Sequence, residues 1–324
     1  MKVLAFQGGQ WRRSGDLAPE AARDLAWGPT HVWIRLEGLD QQKLDALGAT
    51  FNLHPLAVED VRNHRQRPKV EDYEDLTFVV ARAPRWNRET DEMSWLTIGL
   101  FLGPDFLITA CTDPVAELDF VERRLLTMKV SPKTSSIDHV FYQVLDAVVD
   151  AYFPIMDELE DRIEAVEEGV IDSPDDIELE QIQDFKHTVL QIRKTIYPMR
   201  EATVTLARGD HPNIREETSI YLRDVADHTT RLTERLEHVK ELAVLAQETY
   251  NAALQNETNR TIKFLAGITL VLMVPTLIGT YYGMNLDGVP QWQFLGLGPF
   301  GSAVAVATSL MLPLYILARR WNWL

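Results

Sequence analysis

Apolar positions along this chain keep three different rhythms, and each rhythm marks a different kind of element. Over residues 1 to about 130 they come in short β-branched or aromatic runs, at Val3–Phe6, His31–Leu36, Leu76–Ala81, Trp95–Leu102 and Phe106–Ala110. Runs of that length and composition predict strands. Between them, Pro19–Ala26, Gln41–Leu47 and Pro55–Arg62 predict helices, and Pro114–Met128 predicts another. Three of the four open on proline, whose missing N–H costs nothing at a helix start. Interleaved strands and helices predict a layered α/β domain. Gly8-Gly9 lacks the further glycines of a phosphate loop and predicts a turn.

From Ile137 the spacing changes to threes and fours. Phe141, Leu145, Val148, Tyr152, Ile155, Leu159, Ile163 and Val166 form a coiled-coil-like seam, with Pro154 expected to kink it. Gly169, Ser173 and Pro174 end this helix at an acidic tip, Asp172, Asp175, Asp176, Glu178 and Glu180. Charge clusters at such tips are ordinarily just solvated. A second helix from about Asp176 turns Ile182, Val189, Ile192, Ile196 and Met199 inward, giving an antiparallel hairpin over 131–212. Val225, Leu232, Leu236, Val239, Ala243, Ala246, Tyr250 and Ala253 then keep helical spacing, and no proline or glycine intervenes between Asn213 and Ala266. The pattern predicts a stalk helix over 213–263 that continues into the next segment, about 70 residues or ~105 Å at helical rise.

The third rhythm is unbroken apolarity. Phe264 to Asn285 carries no charge and is long enough to cross ~30 Å of hydrocarbon. A loop at 286–298 and a second apolar stretch at 299–318 follow, then a basic tail at 319–324. Arg260 and Lys263 flank the first span and Arg319 and Arg320 the second, while the loop between has no Lys or Arg. The positive-inside rule therefore puts both termini in the cytoplasm, and Trp321 and Trp323 suit an interfacial belt. MKVLAF is too short an apolar run for a signal peptide, so the N-terminal part is expected to stay in the cytosol. The fold class is thus α+β in a membrane protein of the cell (inner) membrane. It combines a cytosolic α/β domain, long helices and two C-terminal transmembrane helices.

Charge sharpens this picture. The chain of 324 residues has a formal net charge of −16, yet from Asn259 onward Asp287 is the sole acid against four basic residues. The acidity lies in the soluble part, where it disfavours nucleic acid and favours cations. The single cysteine, Cys111, excludes an intrachain disulfide and a thiolate zinc cluster.

In the first span Thr269, Met273, Thr276 and Thr280 follow one another at steps of four, three and four, on one helical face. Intramembrane threonines commonly bond back to their own helix, and one such bond would meet the carbonyl that Pro275 leaves free. The stripe runs into Gly283-Met284-Asn285, a helix-ending glycine followed by a carboxamide at the membrane face, and is read as pore-lining.

Several segments carry a family resemblance: Tyr282-Gly283-Met284-Asn285 closing the penultimate span, the tail ending in Trp323-Leu324, Arg67-Pro68-Lys69-Val70-Glu71, Arg193 to Glu201, and Arg223-Asp224-Val225-Ala226-Asp227-His228. Together they resemble the CorA family of divalent-metal-ion transporters, over most of the chain. The resemblance implies a homopentamer in the lipid bilayer, the first span of each subunit lining a central pore. It implies Gly283, Met284 and Asn285 as the selectivity filter and Asp224 with Asp227 as a regulatory metal site. Glu89, Asp91 and Glu92 form the acidic cluster expected to partner it. The outer loop departs from the pattern of magnesium-transporting members, since Gln291 follows Pro290 where a Glu would stand, and it partly resembles zinc-transporting relatives.

Mg²⁺ sheds water reluctantly, and the span offers no carboxylate to replace that water. Neutral oxygens at Thr269, Thr276, Thr280 and Asn285 suit a still-hydrated ion, with Ile262, Leu265 and Met273 as a dewetting gate. The expectation is a passive, channel-like importer of Mg²⁺ and Co²⁺, not an enzyme, gated by cytosolic divalent ions that bind between subunits. Zn²⁺ is the rival cargo. A membrane-anchored coiled-coil scaffold is the rival class, and it leaves the threonine stripe unexplained.

Overall fold

A computed structural model describes the whole chain except residues 28–29, 39, 64–65, 89, 91, 128–134, 173–178, 285–295, 322 and 324, with backbone only at Ile171, Asp172, Tyr282 and Pro299. The chain divides into two units, Met1–Val166 with Glu178–Leu245, and Glu167–Ile177 with Ala246–Leu324.

The first unit is built on a seven-stranded sheet. Its strands are β1 (Lys2–Gln7), β2 (Gln10–Gly15), β3 (Val32–Glu37), β4 (Lys69–Tyr73), β5 (Leu76–Asn87), β6 (Glu92–Leu102) and β7 (Phe106–Cys111), in the order β2-β1-β3-β7-β6-β5-β4. Only β3 and β7 run parallel, and both are buried nearly end to end, as parallel strands covered on two faces must be. On one face Val3, Ile34, Phe78, Phe101 and Ile108 pack with Ala22 of α1 (Pro19–Ala26), Leu44 and Leu47 of α2 (Gln41–Phe51) and Val61 of α3 (Pro55–Arg62). The other face meets α5 (Ile137–Asp150), while α4 (Ala116–Thr127) lies against β2. Arg35, fully buried in β3, ties α4 to the sheet through Asp119 (2.7 Å) and Glu122.

Both edge strands, β2 and β4, escape the pattern reading because they are polar. In β2 only Trp11 is buried. Polar edges discourage further strand pairing, which is why they carry no hydrophobic run. Gly8 and Gly9 form the β1–β2 turn, with φ of 60° and 81°.

One helical expectation needs correction. The seam from Phe141 to Val166 is not one kinked helix but two, α5 and α6 (Phe153–Asp172), separated by Ala151 and Tyr152. Pro154 has no N–H for the Asp150 carbonyl and its ring crowds it, so the chain re-initiates with proline in the first turn. Tyr152 is buried at this break and donates to the Arg82 carbonyl at 2.6 Å. The inward residues expected of α7 (Leu179–Ala207), from Ile182 to Met199, are buried. The acidic tip lies largely outside the described residues.

Helix α8 runs unbroken from Glu216 to Gly283. Within the first unit Val225, Leu232, Leu236, Val239 and Ala243 are buried as their spacing predicts. Thr229 and Thr203 share a hydrogen bond between α8 and α7 at 2.8 Å, and Arg235 reaches Asp157 and Glu160 of α6 at 2.6 Å. The start of α8 is fixed by Asp138, whose buried carboxylate accepts from the Arg215 backbone N–H at 3.1 Å and from its guanidinium at 3.0 Å. Burial disfavours the charge on Asp138, but hydrogen bonds from the Thr218 hydroxyl and the Arg215 backbone, with the guanidinium charge, outweigh it and hold the carboxyl below its ordinary range. A depressed carboxyl stabilises the fold above its unfolded value and loses that contribution as pH falls through the folded one. Asp138→Ala is accordingly expected to cost about 2 kcal/mol near neutral pH, and less towards about pH 3, read by thermal unfolding.

In the second unit the last turns of α8 and all of α9 (Pro299–Arg320) are each long and apolar enough to cross a membrane. α9 starts at the predicted Pro299 and includes Arg319 and Arg320 in its last turn.

Candidate ion path and metal cluster

On the membrane segment of α8, Thr269, Met273, Thr276 and Thr280 lie along one groove, bordered by Leu272, Leu277 and Met284. All four are exposed, and so are Ile262 and Leu265, two turns and one turn before Thr269 respectively. Each threonine hydroxyl donates to the carbonyl four residues earlier: Thr269 to Leu265 at 2.7 Å, Thr276 to Leu272 at 2.8 Å and Thr280 to Thr276 at 2.8 Å. None of them reaches Val271, whose carbonyl Pro275 leaves without its N–H. A threonine in a helix bonds to its own i−4 position, and for Val271 that position is the proline itself.

These back-bonds decide what the stripe presents. With its proton committed to the backbone, each oxygen offers outward only lone pairs. The face is therefore a ladder of neutral acceptors, separated by the apolar Met273. Water bound to a dication points its hydrogens outward, so such acceptors match a hydrated cation and not a hydrated anion. Gly283 closes the helix and Met284 is half exposed. Asn285, the third residue expected in the filter, lies outside the described residues.

The second cluster sits in the first unit. Ligand atoms of Asp146, Asp150 and His228 all lie within 4.8 Å of one another. Asp146 and Asp150 are one turn apart on α5, and His228 stands opposite on α8. His228 Nδ1 is 3.2 Å from Asp150 and 4.0 Å from Asp146, while its Nε2 is 3.6 Å from Asp224, one turn earlier on α8. Phe153 meets the imidazole edge-on at 5.7 Å. Tyr142 donates to Asp146 at 3.4 Å, and its phenol is pushed up to about 12 by burial and that carboxylate. Burial also raises the Asp146 carboxyl, helped by Asp150 and Asp224 and opposed by His228. Three carboxylates converge on one imidazole, and the charge among them is only partly answered.

Of the residues expected at a regulatory metal site, Asp224 borders this cluster. Asp227 is exposed and is not among the three converging ligands. Glu89 and Asp91 lie outside the described residues. Asp146 and Asp150 were not foreseen, although the spacing Asp-x-x-x-Asp inside an apolar helix is a visible signal. His228, which in isolation looks like a surface residue, is largely covered.

Residues 29–319 match the family described as CorA-like Mg2+ transporter protein. The cobalt/magnesium transport protein CorA of Thermotoga maritima is 28% identical over 293 residues, covering 90% of this chain and 84% of that protein. The putative metal ion transporter YfjQ of Bacillus subtilis is 28% identical over 291 residues, covering 89% of this chain and 88% of that protein. The complete structure of the CorA magnesium transporter from Methanocaldococcus jannaschii superposes with a TM-score of 0.82 at 20% identity, covering 100% of this chain and 99% of that one.

Proposed function

Because the chain belongs to the family of CorA-like Mg2+ transporter proteins, we propose that it is a passive, channel-like importer of hydrated Mg²⁺ and Co²⁺. It assembles as a homopentamer in the cell membrane with both termini in the cytoplasm. The membrane segment of α8 from each copy faces a central pore. The observation that carries this reading is the ladder of back-bonded hydroxyls at Thr269, Thr276 and Thr280. Repeated around an axis, it lines a path with acceptors that hold a hydrated dication by its outer waters. No carboxylate stands in the ladder to strip or trap the ion, as Mg²⁺ would require if it crossed bare.

Asn285 and the backbone at Gly283 and Met284 select at the outer mouth. Ile262, Leu265 and Met273 close the path by expelling water when the helices draw together. Inward flux needs no nucleotide. A dication moving to the negative side gains ~4.6 kcal/mol per 100 mV, twice the value for one charge.

Gating falls to the acidic cluster. Asp146, Asp150 and His228, joined by Asp224, hold a cytosolic divalent ion that quenches their repulsion and stabilises the closed arrangement. Carboxylates suit Mg²⁺, and the imidazole adds a donor for Co²⁺ or Zn²⁺. The same helix, α8, carries Asp224 and the threonines, so the sensing position and the path belong to one element.

The purified chain in liposomes with an inside-negative potential tests this reading. Uptake of Mg²⁺ and Co²⁺ is expected to rise with voltage and to persist without a nucleotide or proton gradient. Uptake that follows a proton gradient at zero voltage, or that is confined to Zn²⁺, would overturn it.

A further inference from the structure

The ladder of acceptors on the membrane segment of α8 is unevenly spaced, and a methionine stands in its gap. Thr276 and Thr280 are one turn apart, ~6 Å at helical rise, whereas Thr269 and Thr276 are two turns apart, ~10.5 Å. Met273 fills the longer interval, ~6 Å along the axis from the first hydroxyl and ~4.5 Å from the second. A thioether is a weak acceptor, so water at that level loses its partner on this face. Leu272 and Leu277 border the same groove and offer none.

The sulfur at this level is also open to reagents. Met273 is 58% exposed, while Met156 and Met199 of the first unit are 0% and 2% exposed. Cys111 is buried in β7, and that burial pushes its thiol up to about 12, which keeps it protonated and unreactive. Met284 borders the same groove and is exposed as well, but it lies beyond Thr280, outside the interval that Met273 interrupts.

We propose that Met273 is an oxidative modification site: a peroxide converts its sulfide to the sulfoxide, and the apolar break in the ladder becomes a polar rung that holds the path wet. The sulfur gives a lone pair to one peroxide oxygen, the O–O bond breaks, and the other oxygen leaves as water. Sulfur is oxidised by two electrons and the peroxide is reduced by two. The side chain keeps its length and gains a strong acceptor. The longest interval between acceptors then falls from ~10.5 Å to ~6 Å at helical rise. A barrier that works by expelling water has no apolar level left to work at. The inference rests on the pore-lining reading of this face and adds to it a chemical change that opens the path.

The full chain in liposomes, with Mg²⁺ trapped inside to favour the closed arrangement, tests it. After hydrogen peroxide treatment, peptide mass analysis should find sulfoxide on Met273 well before Met156 or Met199. The residual Mg²⁺ uptake should rise about fivefold as Met273 converts, the size of one hydrogen bond gained by water at that level. In Met273→Leu, Met284 still oxidises, yet uptake should not respond to peroxide. Unchanged uptake with Met273 fully converted would overturn the switch and leave the transport reading standing. An equal response in Met273→Leu, or a Met273 that oxidises no faster than the buried methionines, would do the same. A chain that imports nothing before peroxide is added would instead sink the transport reading, and the switch with it.

Discussion

Replacing Thr269, Thr276 and Thr280 together by valine is expected to lower Mg²⁺ uptake by about two orders of magnitude while leaving assembly intact. Valine has the shape of threonine and nearly its helix propensity, so the helix loses no packing and little backbone stability. Each hydroxyl already spends its proton on a carbonyl of its own helix, and that carbonyl keeps its backbone partner when the hydroxyl goes. What disappears is the outward lone pairs. One acceptor lost to an outer-sphere water is worth about 1 kcal/mol, and several rings are removed at once. The path also becomes continuously apolar between Leu265 and Met284, which extends the dewetting barrier. Thr→Ser at the same three positions keeps the acceptors and should keep most of the flux. Undiminished uptake by the valine chain in liposomes would mean that the stripe faces neighbouring helices and not the ion.

Where the sequence was readable, the reason was periodicity with a hydrophobic payoff. Central strands, α1, α3, the buried seam of α8 and the two apolar helices all repeat at a spacing that burial or lipid enforces. The elements that escaped are those whose residues answer to something else. β2 and β4 are polar because they are edges. β5 runs on to Asn87 although Pro84 argues against it. Beyond Val80 it has β6 on one side only, so a residue without an N–H leaves no partner waiting. The seam at Phe141–Val166 looked continuous because Tyr152 keeps the rhythm across the break, yet its burial serves the Arg82 carbonyl. The site divided in the same way. The threonine stripe lies on one helix and is legible from local spacing. The acidic cluster joins Asp146 and Asp150 to His228, nearly 80 positions away, and only the packing of α5 on α8 brings them together. Nor can spacing show that the hydroxyls bond inward, which is what makes them obligate acceptors.

Asp146→Asn combined with Asp150→Asn should separate two consequences of the acidic cluster that are merged in the unmodified chain. Without divalent ions, Asp146 is a carboxylate in a largely covered position beside Asp150 and Asp224, and burial and those neighbours raise its proton affinity. A carboxyl raised in the folded state stabilises below its unfolded value and withdraws that contribution as pH rises through the folded one. At neutral pH its charge is therefore a liability, and the double amide chain should melt a few degrees higher than the unmodified chain in chelator. Added Mg²⁺ or Co²⁺ should reverse the order. An ion at about a hundredfold its dissociation constant adds about 2.7 kcal/mol to a chain that binds it only when folded. The double amide chain, lacking two of the converging oxygens, should gain almost none of that. The same chain should import Mg²⁺ without being slowed by Mg²⁺ inside the liposome, because the charge that the ion quenches is no longer there. Melting that shifts equally with Mg²⁺ in both chains would remove the cluster from regulation. A shift lost with inhibition retained would leave it a structural ion site and place the sensor elsewhere.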